Sequence, residues 1–305
     1  MKISARSVLI IVLLLVVILS IIELLLRDRG LRDFPLYRVD ERYEYVFLPD
    51  QTLSPNGNLI QTNELGLRSD PILKKKGKRV LVIGDSVING TYSVHQDSLA
   101  TNLLEDHLNE LDQEEFQVIN LSMNSWGPAN AMAFIETHGD FEPDIVILVV
   151  SSHDSYDNMT FEPVVGENTY YPGKKPWSAT VMAIRKYSAR YRNSDPAPEY
   201  LEIQQEFNSG FAALKDHFEL QNIPFTIYLH YELNELRDEE LDQKGKEILN
   251  FAALANVPIR LGIDHDEKAG GYMDVIHLNT SGQRTLSNAL FNICIEDLLL
   301  SKSIQ

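Results

Sequence analysis

A serine, a histidine and an aspartate stand in this 305-residue chain where their types and spacing could transfer an acyl group. Gly84-Asp85-Ser86 closes the short apolar run Val80–Ile83 and is followed by Gly90. A serine directly after a strand sits on a tight turn at the carboxyl edge of a sheet. Its hydroxyl is exposed and its own N–H is free, which suits a nucleophile. The tripeptide alone is a weak signal, because an ordinary strand-to-helix turn can carry it. Far downstream comes Asp274-Val275-Ile276-His277, then Leu278, Asn279 and Gly282. A histidine accepts a serine proton only when its tautomer and ring orientation are fixed, and an acidic partner fixes both. Asp274, three residues before His277 on a turn entering a helix, can reach Nδ1 of that ring. Asp264 is a fallback partner.

The remaining candidates carry less. His265 between Asp264 and Asp266 suggests a metal site, but nothing else at ligand spacing supports it, so a solvated loop is expected. His95, His107, His138, His217 and His230 have no partner visible in the sequence. The single cysteine, Cys294, excludes an intramolecular disulfide and any multi-cysteine metal site, and reads as a core thiol of the last helix. No metal or organic cofactor is implied.

These residues must be positioned by regular elements. Val80–Ile83, Phe116–Leu121, Ile145–Val150, Ile223–Leu229 and Val257–Leu261 read as five buried strands. Between them helices are expected over Asp97–Leu111, over Ala129–Thr137 and through Leu241 and Ile248. A final helix after Thr280 carries Leu286, Leu290, Ile293 and Leu298. Strands apolar on both faces and alternating with helices predict a parallel sheet covered on both sides, a three-layer α/β/α sandwich. In such a sheet the crevice lies beyond the carboxyl ends of the strands, after Ile83, Leu121 and Val150.

Gly84-Asp85-Ser86 after a strand, with Asp274-x-x-His277 near the C-terminus, resembles the first and last blocks of the SGNH/GDSL hydrolase superfamily. The resemblance covers most of the chain. It extends to a subgroup with an N-terminal membrane helix, an Ile22-Glu23-Leu24-Leu25-Leu26-Arg27 exit and a Thr62-Asn63-Glu64-Leu65-Gly66-Leu67-Arg68 segment before the first strand. It implies a flavodoxin-like sheet, Ser86 as nucleophile, His277 as base and Asp274 as its partner. The middle blocks depart from the family. Within Asn120–Gly127 the position of the family's oxyanion-hole glycine holds Ser125, and in Ser151-Ser152-His153-Asp154 the family's asparagine is His153. The oxyanion hole implied here is therefore Ser86 N–H, Ser125 N–H and the His153 ring. Losing one such donor lowers rates on the order of a hundredfold or more, so these departures bear on efficiency. Serine ester hydrolysis or O-acyl transfer is the expected activity. The rival is a non-catalytic carbohydrate-binding protein on the same scaffold.

The N-terminus predicts where this happens. Ser7–Ile22 carries no charge and the apolar run continues to Leu26 past Glu23. As a helix, Val8–Leu26 would reach about 28 Å, one hydrocarbon thickness. No small-x-small cleavage site follows, so an uncleaved anchor is expected over a signal peptide. Basic residues flank both ends, and the short N-terminus is taken to stay inside with the large domain exported. Residues 1–27 thus read as an anchor, 28–78 as a connector and 79–305 as the hydrolase-like domain, interrupted by an insertion over 155–200. The net charge of −17 argues against nucleic-acid binding. Against that charge, the insertion carries Lys174, Lys175, Arg185, Lys186, Arg190 and Arg192 with no acid from Lys174 to Arg192. A solvated helix face and a contact with anionic lipid or polymer are the two readings. Four N-x-[ST] sequons, at Asn89, Asn120, Asn158 and Asn279, lie beside the motifs, where glycans would obstruct a cleft. That favours a bacterial envelope, with acylated polysaccharide as first substrate and lipid esters as second.

Overall fold

A computed structural model describes residues 4–72, 74–111, 115–192 and 206–303; the side chains of residues 186, 187, 189–192 and 298–303 lie outside the description. The chain opens in the apolar helix α1 (Ala5–Asp28), N-capped by Ser4. It is long and apolar enough to cross a membrane, and none of its residues is buried.

Residues 28–78, between the apolar helix and the sandwich, contain regular structure. They fold into two antiparallel hairpins, β1 (Tyr37–Asp40) with β2 (Glu44–Phe47) and β3 (Thr52–Leu53) with β4 (Ile60–Gln61). Tyr37, Tyr43, Tyr45, Val46, Phe47 and Leu67 are buried in the main core. Their strands are too short for a period to show, and most of the apolar surface they bury in that core is aromatic.

The sandwich follows as β5 (Lys78–Gly84), α2 (Ser86–Asn89), α3 (Ala100–Asn109), β6 (Phe116–Ser122), α4 (Pro128–His138) and β7 (Ile145–Ser151). After it come α5 (Ala179–Arg192), α6 (Gly210–Glu219), β8 (Phe225–His230), α7 (Leu233–Asp238), α8 (Gln243–Leu254), β9 (Ile259–Leu261) and α9 (Thr280–Ser303). The five large-sheet strands pair in parallel in the order β6-β5-β7-β8-β9. Because side chains alternate along a strand, β5 sends Leu81 and Ile83 to one core and Val80 and Val82 to the other. The first core is closed by α4, α6, α8 and the hairpin aromatics, and the second by α2, α3 and α9. This is the α/β/α sandwich with a flavodoxin-like strand order. Its switch point lies between β5 and β7, the two strands that present Ser86 and His153.

Element ends differ from expectation for local reasons. β8 and β9 start after Pro224 and Pro258, which have no N–H to give the ladder. A 3-10 turn at Gln96–Ser98, capped by His95, delays α3 to Ala100. Helix α6 went unread although Phe211, Leu214 and Phe218 recur at helical spacing on its buried face. Cys294 is a buried free thiol on α9.

Candidate active site

The turn that presents Ser86 is built by packing and by a cap. A Cβ on Gly84 would stand 2.9 Å from both Ile88 Cγ1 and Val149 O, so only glycine lets β5 run this close to β7. Asp85 then caps α2, its Oδ1 accepting from Val87 N–H at 2.8 Å. Ser86 is the first residue of α2, where the N–H has no intrahelical acceptor. Buried amides brace the turn: Asn120 Nδ2 donates to Ile88 O and Asn89 Nδ2 to Ser122 O. These are two of the sequon asparagines, both fully buried, so they serve the fold.

His277 lies on the loop before α9. Its Nδ1 is 2.8 Å from Asp274 Oδ2 and its Nε2 is 3.0 Å from Ser86 Oγ. Asp274 Oδ1 also accepts the N–H groups of Ile276 and His277. Burial pushes the Asp274 carboxyl up, but those two N–H groups and the imidazole outweigh it and hold it below the usual range. With Nδ1–H given to a carboxylate, Nε2 keeps a lone pair for the serine hydroxyl. The fallback, Asp264, instead lines a separate cleft with His265, Gly270 and Ser281.

The loop has a further support that sequence reading missed. His230, at the end of β8 and wholly buried, pairs through Nδ1 with Glu267 Oε1 at 2.7 Å, while its Nε2 lies 2.8 Å from Ile276 O. Tyr228 and Tyr272 donate their hydroxyls to the same Glu267. Burial pushes the His230 pKa down and that of Glu267 up, but their mutual attraction outweighs both, so the pair stays charged. Both imidazolium nitrogens then donate, one of them to the carbonyl next to His277. A histidine ending a strand at the sheet's carboxyl edge was the available signal. Three other unassigned histidines also have partners: His138 with the Tyr43 hydroxyl, His217 with Asp140 and His95 with Asp97.

Ser125 stands in the turn before α4 at φ 56°, a left-handed backbone that a serine rarely adopts. Aromatic groups hold it there. Tyr45 OH donates to the carbonyls of Asn124 and Ser125, and Tyr171 OH donates to Ser125 Oγ. The Ser125 N–H meets no acceptor among the described residues.

His153 follows β7 on a 3-10 turn, in an acidic nest. Its Nε2 is 3.5 Å from Asp85 Oδ2, which is itself 3.5 Å from Ser86 Oγ, and its Nδ1 is 3.3 Å from Glu232 Oε1. Burial alone would lower the His153 pKa; the carboxylates of Asp85 and Glu232 at its two ring nitrogens help raise it well above the ordinary value. Asp85 ionises readily, because His153 more than offsets the effect of burial. Asp154 does not: burial raises it well above the carboxylate range, and its Oδ1 has no hydrogen-bond partner. Asp85, His153 and Asp154 are close enough together to surround a metal ion. The Asp85 and Glu232 carboxylates beside the ring nitrogens favour its imidazolium form.

No family model matches the chain, and no curated protein matches it. Among solved structures it is similar to the esterase EstA from Pseudoalteromonas, with 14% identity over 72% of this chain and 98% of that one and a TM-score of 0.44. It is similar to a lipase/acylhydrolase from Enterococcus faecalis, with 15% identity over 70% and 94% and a TM-score of 0.41. A carbohydrate acetylesterase family member from Sinorhizobium meliloti shows 14% identity over 72% and 99%, with a TM-score of 0.38.

Proposed function

We propose that this chain is a membrane-anchored serine esterase or O-acyltransferase of the SGNH/GDSL kind, working through an acyl-enzyme on Ser86. The observation that carries the reading is the relay from Asp274 Oδ2 through His277 to Ser86 Oγ, at 2.8 and 3.0 Å. His277 Nε2 takes the hydroxyl proton as Oγ bonds to the ester carbonyl carbon. The carbonyl oxygen becomes an oxyanion facing the N–H groups of Ser86 and Ser125 and the charge on His153. When the tetrahedral species collapses, the bond to the leaving alcohol breaks and His277 returns the proton to it. Water as the second nucleophile gives hydrolysis, and a sugar hydroxyl gives O-acyl transfer. An anchored, exported domain meets acylated envelope polysaccharide first and lipid esters second, and Lys174, Lys175, Arg185 and Lys186 favour an anionic surface nearby. The Lys186 side chain lies outside the described residues; Lys175 pairs with Asp33 at 2.6 Å.

The test is covalent. Incubated with a fluorophosphonate probe in detergent, the full chain takes up label at one residue, and Ser86→Ala takes up none. A folded protein that stays unlabelled supports the other reading, a carbohydrate-binding protein. That reading draws on His153, whose two ring nitrogens already face Asp85 and Glu232.

His153 also makes the reading sensitive to pH. Its pKa is raised by folding. The charge it lends to the oxyanion, and to stability, is therefore fully present below the unfolded value of about 6.5 and fades as pH rises through the folded one. Turnover should fall on that alkaline side. The variant His153→Asn keeps a neutral donor, so its profile should lack this alkaline limb and sit about ten- to a hundredfold lower at neutral pH. An unchanged limb in the variant assigns the titration to another group.

A further inference from the structure

The insertion is tied to the apolar N-terminal helix by a single carboxylate. Glu23 of α1 accepts four hydrogen bonds at the start of α5: from Ser178 Oγ at 2.8 Å, Ala179 N at 2.9 Å, Thr180 N at 2.9 Å and Thr180 Oγ1 at 2.8 Å. Arg27 closes the arrangement by donating to Glu23 Oε1 at 2.7 Å, and Arg32 holds Pro176 O from below. Glu23 thus serves as the N-terminal cap of a helix 155 residues further along the chain. Whatever depth α1 takes in a bilayer, the first turn of α5 shares it. Glu23 lies five residues before the end of α1, about 7.5 Å of helix rise, so the joint sits at the end of the span nearest the membrane interface.

The side chains at that depth suit a lipid surface. Trp177, two residues before the start of α5, is 76% exposed and Ile184 is 62% exposed. The surrounding residues Lys174, Lys175 and Arg185 belong to a stretch with no acidic residue, in a chain of net charge −17. Indole favours the membrane interface, and basic side chains favour anionic headgroups.

We propose that residues 174–192 form an interfacial segment that binds anionic phospholipid headgroups of the membrane holding α1, with Glu23 as the joint between span and surface. The proposal rests on the reading of α1 as a retained anchor. It also gives Glu23 a reason to interrupt the apolar run, and it ties the insertion that carries Tyr171, and so the Ser125 turn, to the bilayer plane.

The experiment uses the full chain reconstituted into phosphatidylcholine vesicles, with or without phosphatidylglycerol, brominated near the headgroup. Trp126 is 1% exposed in the core, so Trp177→Phe supplies the background. Trp177 emission should be quenched by bromolipid and shielded from aqueous iodide, more strongly in the anionic vesicles. Each of Lys174→Gln and Arg185→Gln should shift the ratio of docked to undocked segment about fivefold. Glu23→Ala should undo the shielding while the protein still melts cooperatively. Trp177 equally open to iodide in both vesicle types, with α1 resisting carbonate extraction, overturns the interfacial segment and leaves the anchor standing. Release of the wild-type chain by carbonate overturns the anchor reading, and this proposal with it.

Discussion

Alanine at Ser86 or at His277 should lower ester turnover by about 10⁴- to 10⁶-fold, with the double variant no slower than the worse single one. The two side chains act as one unit. Oγ has no use for a base that cannot be reached, and the base has no proton to take without Oγ, 3.0 Å from His277 Nε2. What survives is the stabilisation that does not pass through them, chiefly the Ser86 and Ser125 N–H groups, which the alanine at residue 86 retains. The loss should therefore appear in kcat with little change in KM, because neither side chain is needed to seat the ground-state ester. Asp274→Asn should fall between these variants and the wild type. The amide still accepts the backbone N–H groups of Ile276 and His277, but it can no longer select the Nδ1–H tautomer. A synthetic acetyl ester read spectrophotometrically is sufficient. A double variant slower than the wild type by the product of the two single effects would mean two independent contributions, and the relay would have to be given up.

The residues readable from sequence were those whose meaning is local. Ser86 follows an apolar strand by two residues, and Asp274 lies within one turn of His277, so spacing alone brings the partners into reach. The five strands were legible because β5, β6 and β7 are apolar on both faces, and only a sheet covered twice demands that. What stayed hidden depends on contacts across the chain. His230 acts through Glu267 and Ile276, residues 37 and 46 positions away, and no local pattern marks that pairing. The left-handed backbone at Ser125 is held by hydroxyls of Tyr45 and Tyr171, from a hairpin and an insertion that carried no periodicity. The charge on His153 is set by Asp85 and Glu232, neither of which adjoins it in sequence. Glu23 interrupts the apolar run, and nothing near it in sequence shows that it caps α5.

Arg68 should prove the side chain whose loss destabilises the fold most. It belongs to the segment Thr62–Arg68 before β5 and is 0% exposed. Its guanidinium donates to the carbonyls of Asn89 at 2.7 Å, Val94 at 2.5 Å, Leu59 at 3.4 Å and Thr91, and to Gln96 Oε1 at 3.1 Å. Burial lowers its pKa to about 9, which still leaves it cationic at neutral pH. A buried cation with carbonyl partners is costly to place, yet each acceptor is equally costly to orphan. Arg68→Met fits the space and removes every donor, so the carbonyls of residues 89, 91 and 94 are left dry and unpaired. About 3–5 kcal/mol of unfolding free energy should go with them. Arg68→Lys should recover little of it, since an ammonium is a point donor and cannot span acceptors on both sides of a planar fork. Denaturant titration of the full chain in detergent measures both. The same carbonyls belong to the loop that leaves α2, so kcat should fall wherever the Met variant remains folded, as the Ser86 hydroxyl loses its fixed approach to His277. A Met variant that unfolds at the wild-type midpoint would mean that the loop is held by its own backbone. The conformation of the Gly90 turn, at φ 69°, would then have to account for the position of Ser86 unaided.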